Sequence, residues 1–136
     1  MTQNSAIDKV EIRRSYYVSG VLFGETPLVN GNVNGIAKRY YESGALHWVT
    51  PYKNGFENGI EKFYYETGVL FGETPYKNGK VHGIVKRYYE TGALRWEASY
   101  LNGTQQGIER RYDKDKTSIY CVTLYDKDQE VTSIRI

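Results

Sequence analysis

The sequence predicts an all-β fold, an extended antiparallel meander of stacked hairpins forming a single elongated, curved sheet. Three observations carry that expectation. Glycines fall in three series with a common step of 24, at 20, 44, 68 and 92, at 31, 55, 79 and 103, and at 35, 59, 83 and 107; a fixed internal period of this length marks a repeat architecture. Tyrosines keep the same step at 16, 40, 64, 88 and 112, at 17, 41, 65 and 89, and at 52, 76 and 100. Between the glycines lie short runs of β-branched and aromatic residues, which suit strands. Twelve of the fourteen glycines obey the period, and as interior helical residues each would cost about 1 kcal/mol against Ala.

The elements follow in chain order. Val10 to Tyr17 aligns with the segment from Gly35 onward and reads as the first paired strand. In a complete unit, Gly83 to Tyr89 is a strand and Glu90-Thr91-Gly92 a three-residue link with glycine at the left-handed position. Ala93 to Tyr100 is the second strand, and Asn102 begins a second link ending at Gly107. Two strands and two turns use up the unit and leave no room for a helix of ordinary length. A longer period of 48 is superposed, since residues 20–27 recur identically at 68–75, and Ala45-Leu46-His47-Trp48 matches Ala93-Leu94-Arg95-Trp96. After Tyr112 the glycines stop. Residues 113–118 replace the usual link, and Ile119–Tyr125 and Glu130–Ile136 take the last two strand positions. The chain thus reads as one repeat domain over 1–136, with a lead-in at 1–9, about four and a half repeats over 10–112, and a degenerate capping hairpin at 113–136, as stacked arrays require at their ends. Roughly eleven strands about 4.8 Å apart make a sheet on the order of 50 Å long.

Alternation sorts each strand into two sets of side chains. Ile36-Lys38-Tyr40 recurs almost unchanged as Ile60-Lys62-Tyr64, Ile84-Lys86-Tyr88 and Ile108-Arg110-Tyr112, so this set is expected to form the packing lattice. The opposite set changes at nearly every step: Ala37-Arg39-Tyr41, Glu61-Phe63-Tyr65, Val85-Arg87-Tyr89, Glu109-Arg111-Asp113. In the second strands, Trp48 and Trp96 fall in the column of Gly24 and Gly72, on the face of the recurrent Leu22, Leu46, Leu70 and Leu94, with Phe23 and Phe71 opposite. A tryptophan beside glycine columns packs large against small. If partly exposed, it also suits a protein interface, where Trp and Tyr dominate. Pro27, Pro51 and Pro75 share a column in which the strand should be bent, bulged or unpaired, because proline donates nothing to a ladder. Ser99 takes that place in the fourth unit, which should run straighter.

Chemistry-bearing residues are sparse. His47 and His82 occupy different columns and read as surface residues; Cys121, the single cysteine, excludes an intrachain disulfide and reads as a packed, inert thiol. Asp126 to Glu130 lacks the central glycine and terminal glutamate of an EF-hand loop, and the glycines form no phosphate-binding loop. Lys38-Arg39-Tyr40-Tyr41 and Lys86-Arg87-Tyr88-Tyr89 interleave bases with aromatics as single-strand nucleic-acid platforms do. Glu42, Glu66 and Glu90 nevertheless lie in or beside the following turns, and the formal net charge is only +2. Neither an enzyme, a cofactor or metal site, nor a nucleic-acid partner is expected. No apolar signal-peptide core and no run of about eighteen apolar residues occurs, so a cytoplasmic setting is expected.

The pattern Gly79-x-x-x-Gly83-Ile84-x-Lys86-x-Tyr88-Tyr89-Glu90-x-Gly92-x-Leu94-x-x-Glu97-x-x-Tyr100-x-Asn102-Gly103 closely resembles the MORN repeat variant, of the type found in YwqK-like bacterial antitoxins and immunity proteins. The resemblance spans about residues 12–112. It implies a meandering sheet of hairpins that acts as a non-catalytic binding module, with a cognate toxin as partner, neutralised when its active surface is covered. Other MORN proteins are associated with membranes or scaffolding, the second expectation; self-association through exposed aromatics or sheet edges is the third. Contact is assigned to residues that vary between units: Phe23, Arg39, His47, Phe63, Phe71, Arg87 and Arg95, with Trp48 and Trp96 as anchors.

Overall fold

A computed structural model describes residues 5–115 and 118–136. Lys116 and Thr117, in the middle of the altered link at 113–118, lie outside the described residues. The described residues contain no helix and form one antiparallel sheet of fourteen strands. In chain order these are β1 (Val10–Tyr16), β2 (Leu22–Val29), β3 (Asn32–Val33), β4 (Gly35–Tyr40), β5 (Leu46–Lys53), β6 (Phe56–Glu57), β7 (Gly59–Tyr64), β8 (Leu70–Lys77), β9 (Lys80–Val81), β10 (Gly83–Tyr88), β11 (Leu94–Leu101), β12 (Thr104–Tyr112), β13 (Ile119–Asp126) and β14 (Gln129–Arg135). The path through the sheet is β1-β2-β4-β5-β7-β8-β10-β11-β12-β13-β14, and the two-residue strands β3, β6 and β9 pair with β2, β5 and β8. The eleven-strand meander read from the repeat is this path.

Two kinds of turn alternate. Gly92, at φ 86°, closes the 90–92 link with its amide on the Tyr89 carbonyl at 2.9 Å, and Gly20, Gly44 and Gly68 do the same in the other units. The Asn-Gly end differs from expectation. Asn102 and Gly103 both have positive φ, 50° and 89°, which is a two-residue hairpin turn, and pairing resumes at once with Leu101 opposite Thr104. Gly107 therefore belongs to a bulge inside β12.

The proline column produces the expected irregularity. Between the pairs Glu25–Lys38 and Leu28–Val33, two residues of β2 face four on the neighbouring chain, splitting β3 from β4. The Pro51 ring approaches Gly59 so closely that a Cβ there would sit 2.9 Å from its Cγ. Proline and the glycine after the Asn column thus form one device. With Ser99 in the proline position, β12 runs unbroken and Ala98 keeps its partner Glu109, yet two extra residues still bulge between Gln105 and Glu109.

Burial reverses the expected division of faces. Ile36, Ile60, Ile84 and Ile108 are 56, 51, 51 and 40 % exposed, whereas the variable set includes Val85 and Glu109 at 5 and 7 %. The recurrent Ile-Lys-Tyr set therefore marks an open face. Crowding falls on the variable side, where Thr50, Thr74, Ala98 and Thr123 are buried and large neighbours overhang short side chains. Tyr17, Tyr41, Tyr65 and Tyr89 of that side are structural: each hydroxyl donates to a backbone carbonyl one unit on, those of Tyr40, Tyr64, Tyr88 and Tyr112, at 2.8, 2.8, 2.9 and 2.8 Å.

Candidate functional site

On the crowded face, cross-strand partners form one continuous row: Gly24, Arg39, Trp48, Phe63, Gly72, Arg87, Trp96, Arg111 and Cys121. A second bulge feeds it. Arg39 pairs with Trp48 but Tyr40 with Leu46, so His47 is an extra residue, and the same step occurs at Phe63/Tyr64 and Arg87/Tyr88. Strict alternation fails there. Phe23 consequently lies beside Arg39 of the crowded face, which corrects its expected place opposite the Gly24 and Trp48 column. Leu46, opposite Tyr40, leaves the face that alternation gave it with Trp48.

The row is a stack of guanidinium groups and rings. Arg39 lies over Phe23 and Trp48, with Cζ 5.2 and 5.3 Å from the ring centroids. Trp48 meets Phe63 at 5.6 Å, and Arg87 lies over Phe63, Phe71 and Trp96 at 5.4, 5.9 and 5.9 Å. His47 stacks on Tyr41 at 4.1 Å beside Trp48. Eight of the nine residues expected to contact a partner are joined here; Arg95 stands apart over Tyr89. Arg39 and Arg95 are exposed and the other seven half-buried. The tryptophans do not pack against glycine across the strand, as expected, but against arginine on one side or both: Trp48 lies between Arg39 and Phe63, Trp96 between Arg87 and Arg111.

Arg39 and Arg87 are equivalent by the 48-residue period but differ in engagement. Arg87 folds back over Gly72. Its Nη1 donates to the Glu73 and Lys86 carbonyls at 3.1 and 2.8 Å, and Nη2 to Thr74 Oγ1 at 3.1 Å. Burial draws its pKa down, with Glu61 among the groups pulling it back. Arg39 lies over Phe23 and Trp48, the equivalents of Phe71 and Trp96, but stays exposed. Next to it opens a cavity of about 310 Å³ lined by residues including Ala37, Arg39, Trp48, Thr50, Tyr52, Glu57 and Glu61. Thr50 Oγ1 donates to Glu61 at 2.6 Å and the Tyr52 hydroxyl to Glu57 at 3.4 Å. Burial raises the Glu61 pKa; Thr50 and, more weakly, Arg87 act against it, while Glu57 adds to the rise.

Glu61 and Arg111 were legible only as members of a varying set, and Glu57 was not singled out at all. Their signal was the difference between equivalent positions of the two 48-residue blocks. His82 sits in the column of Asn34 and Asn58, with Nδ1 3.2 Å from Asn102 Oδ1. Cys121 is buried as expected, but the Ser133 and Thr123 hydroxyls lower its pKa.

On the open face the row reads Glu25, Lys38, Val49, Lys62, Glu73, Lys86, Glu97 and Arg110. Tyr40, Tyr88 and Tyr112 donate to Glu25, Glu73 and Glu97, which explains why the Lys-x-Tyr element recurs without being buried.

Residues 33–54, 57–78 and 81–102 each match the family model described as MORN repeat variant. No curated protein is significantly similar to the chain.

Proposed function

We propose, from the premise that this chain carries three consecutive MORN repeat variants, that it is a non-catalytic protein-binding module, and that its partner is a toxin whose active surface it covers. The observation that supports this reading is the ring and guanidinium stack from Phe23 to Trp96, half-exposed along the crowded face. Protein interfaces concentrate their energy in Trp, Tyr and Arg held rigid by their neighbours, and here those side chains are ordered before a partner arrives. The nine residues from Phe23 to Trp96 named above supply the contact. The setting is the cytoplasm.

The test is co-purification from the native host with the tagged chain. A stoichiometric protein that is toxic alone and harmless in the complex is the expected result. A clean monomer that fails to protect against the product of the neighbouring gene overturns the antitoxin role.

A second reading, attachment to an anionic membrane, draws on the open face, where half-exposed Ile36, Ile60 and Ile84 run beside Lys38, Lys62 and Lys86. Interleaved Glu25, Glu73 and Glu97 weaken it. Sedimentation with acidic liposomes at low salt decides: salt-sensitive binding supports attachment, and none removes it.

A further inference from the structure

The two 48-residue blocks share one register, although Ala98 keeps its ladder partner Glu109 where Thr50 and Glu61 fall in the gap beside Pro51, and they fill it differently. In the second block Glu109 is neutralised from within. Arg111 Nε donates to its Oε1 at 2.7 Å and Gln105 Nε2 to its Oε2 at 3.1 Å, while Val85 and the folded-back Arg87 occupy the neighbouring space. The equivalents in the first block are Glu61 for Glu109, Phe63 for Arg111, Glu57 for Gln105 and Ala37 for Val85. These changes act in one direction, against which Thr50, in the place of Ala98, adds a donor to Glu61 at 2.6 Å. The internal cation is replaced by a ring, the neutral amide by a second carboxylate, and the larger side chain by a smaller one; Arg39 stacks on Phe23 and Trp48 as Arg87 does on Phe71 and Trp96, but it stays exposed where Arg87 folds back. What remains is the 310 Å³ cavity beside Glu61, at the small end of the range for ligand pockets and thus sized for a side chain.

We infer that this cavity receives an arginine side chain of the partner protein. Its guanidinium would pair with Glu61 and Glu57, as Arg111 pairs with Glu109, and its flat face would lie against Trp48, as Arg87 lies against Trp96. A planar fork of donors matches two carboxylates and stacks on a ring, which an ammonium does less well. The inference rests on the protein-binding reading and names the chemistry of its contact. It also places two carboxylates, Glu57 and Glu61, together in a cavity wall that Lys38 and Arg39 complete, on a chain of net charge +2, where they are the groups that can answer a partner's cation.

The test follows the indole N–H resonances of Trp48 and Trp96 by NMR during titration with N-acetyl-arginine amide, using Trp96 as the internal control. Expected is a saturable shift of Trp48 with Trp96 unmoved, and a response to the neutral N-acetyl-citrulline amide about tenfold weaker. Ala37→Val, which fills the space as the second block does, and the pair Glu57→Gln with Glu61→Gln should each weaken the arginine response by a similar factor. Equal shifts at both tryptophans, an equal response to citrulline amide, or indifference to both sets of substitutions overturns the proposal. Tighter binding of spermidine than of the arginine amide overturns the assignment to a protein side chain. If Ala37→Val still captures the partner at full affinity, the socket is wrong and the protein-binding reading survives; if no partner exists, that reading fails whatever the titration shows.

Discussion

Arg87 occupies the space that a side chain at Gly72 would need: a Cβ on Gly72 would come 2.6 Å from Arg87 Cδ and 2.8 Å from Nη1. The absence of a side chain in β8 is thus what lets the guanidinium reach the Glu73 and Lys86 carbonyls and Thr74. Gly72→Ala should expel Arg87 rather than distort the sheet, because the atoms in the way are the far end of a flexible side chain. The expected cost is about 1–3 kcal/mol, the range for losing hydrogen bonds from a charged, partly buried group. Urea unfolding of a double-mutant cycle with Arg87→Met checks it. Gly72→Ala should cost much less in the Met background, and additive effects would show that the two residues are not coupled.

Adjacent tyrosines in β7 and its turn should respond differently to loss of their hydroxyls. Tyr65 donates to the Tyr88 carbonyl at 2.9 Å and ties one hairpin to the next. Tyr64 projects to the open face in a column where Tyr88 reaches Glu73 and Tyr112 reaches Glu97, but Val49 offers it no carboxylate. Tyr65→Phe should cost about 0.5–1.5 kcal/mol and Tyr64→Phe a few tenths at most, compared by thermal or urea melts. Equal losses would remove the hydroxyl ladder as the distinction.

The same column suggests a stabilising change. Val49 stands between Lys38 and Lys62 on the neighbouring strands, where Glu73 stands between Lys62 and Lys86. Val49→Glu restores the alternation of charge and gives Tyr64 an acceptor. Cross-strand opposite-charge pairs contribute roughly 0.2–1 kcal/mol each, and a gain of about 0.5–1 kcal/mol at low salt is expected, shrinking as salt rises. A loss would mean that burying Val49 outweighs the restored pairs.

The tyrosines also set the alkaline limit of the fold. Burial, then the hydrogen bond and charge of Glu73, push Tyr88 up to about 12; burial raises Tyr40, Tyr76 and Tyr112 as well. A phenol whose folded pKa exceeds its unfolded value holds its proton more tightly in the native state. Its stabilisation is complete below the unfolded value near 10 and is lost as pH rises toward the folded one. Stability should therefore fall between pH 10 and about 12 for Tyr88, and tyrosinate absorbance should rise steeply with unfolding instead of tracking a simple titration. Ordinary, uncooperative ionisation of all fourteen tyrosines would contradict this.

The repeat made the strand path legible because glycine and tyrosine spacing registers directly in turns and ladders. Which face is crowded was not legible. Ile36, Ile60 and Ile84 recur on the open side because Lys and Tyr beside them build a surface network with Glu25, Glu73 and Glu97, so recurrence tracked a lattice without tracking burial. Phe23 and Leu46 were misplaced for a more local reason: alternation assumes an unbroken pleat, and one extra residue per hairpin shifts the pleat at that point. The prolines, by contrast, announced their bulge because a missing N–H is a property of the residue itself. Seven contact residues vary between units and two are tryptophan anchors, and all but Arg95 converge, whereas Glu57 and Glu61 stand out only in the difference between the two equivalent blocks.

Glu61 allows a test in which stability and the proposed socket make opposite demands. Burial raises its pKa, so holding the charged carboxylate in the cavity is unfavourable in the free protein, even with the Thr50 hydroxyl at 2.6 Å. Gln at this position keeps an acceptor for Thr50 and removes the charge. Glu61→Gln should then be more stable than the parent at neutral pH. The sign reverses nothing on acidification but closes the gap: as pH falls through the raised pKa, the parent becomes neutral and loses its penalty, and the two chains converge. Melting both from pH 7 to pH 4 reads this directly. A parent that is the more stable at neutral pH would mean that Glu61 is already paired with a cation in the free chain, and a carboxylate so paired would not be waiting for a partner's arginine.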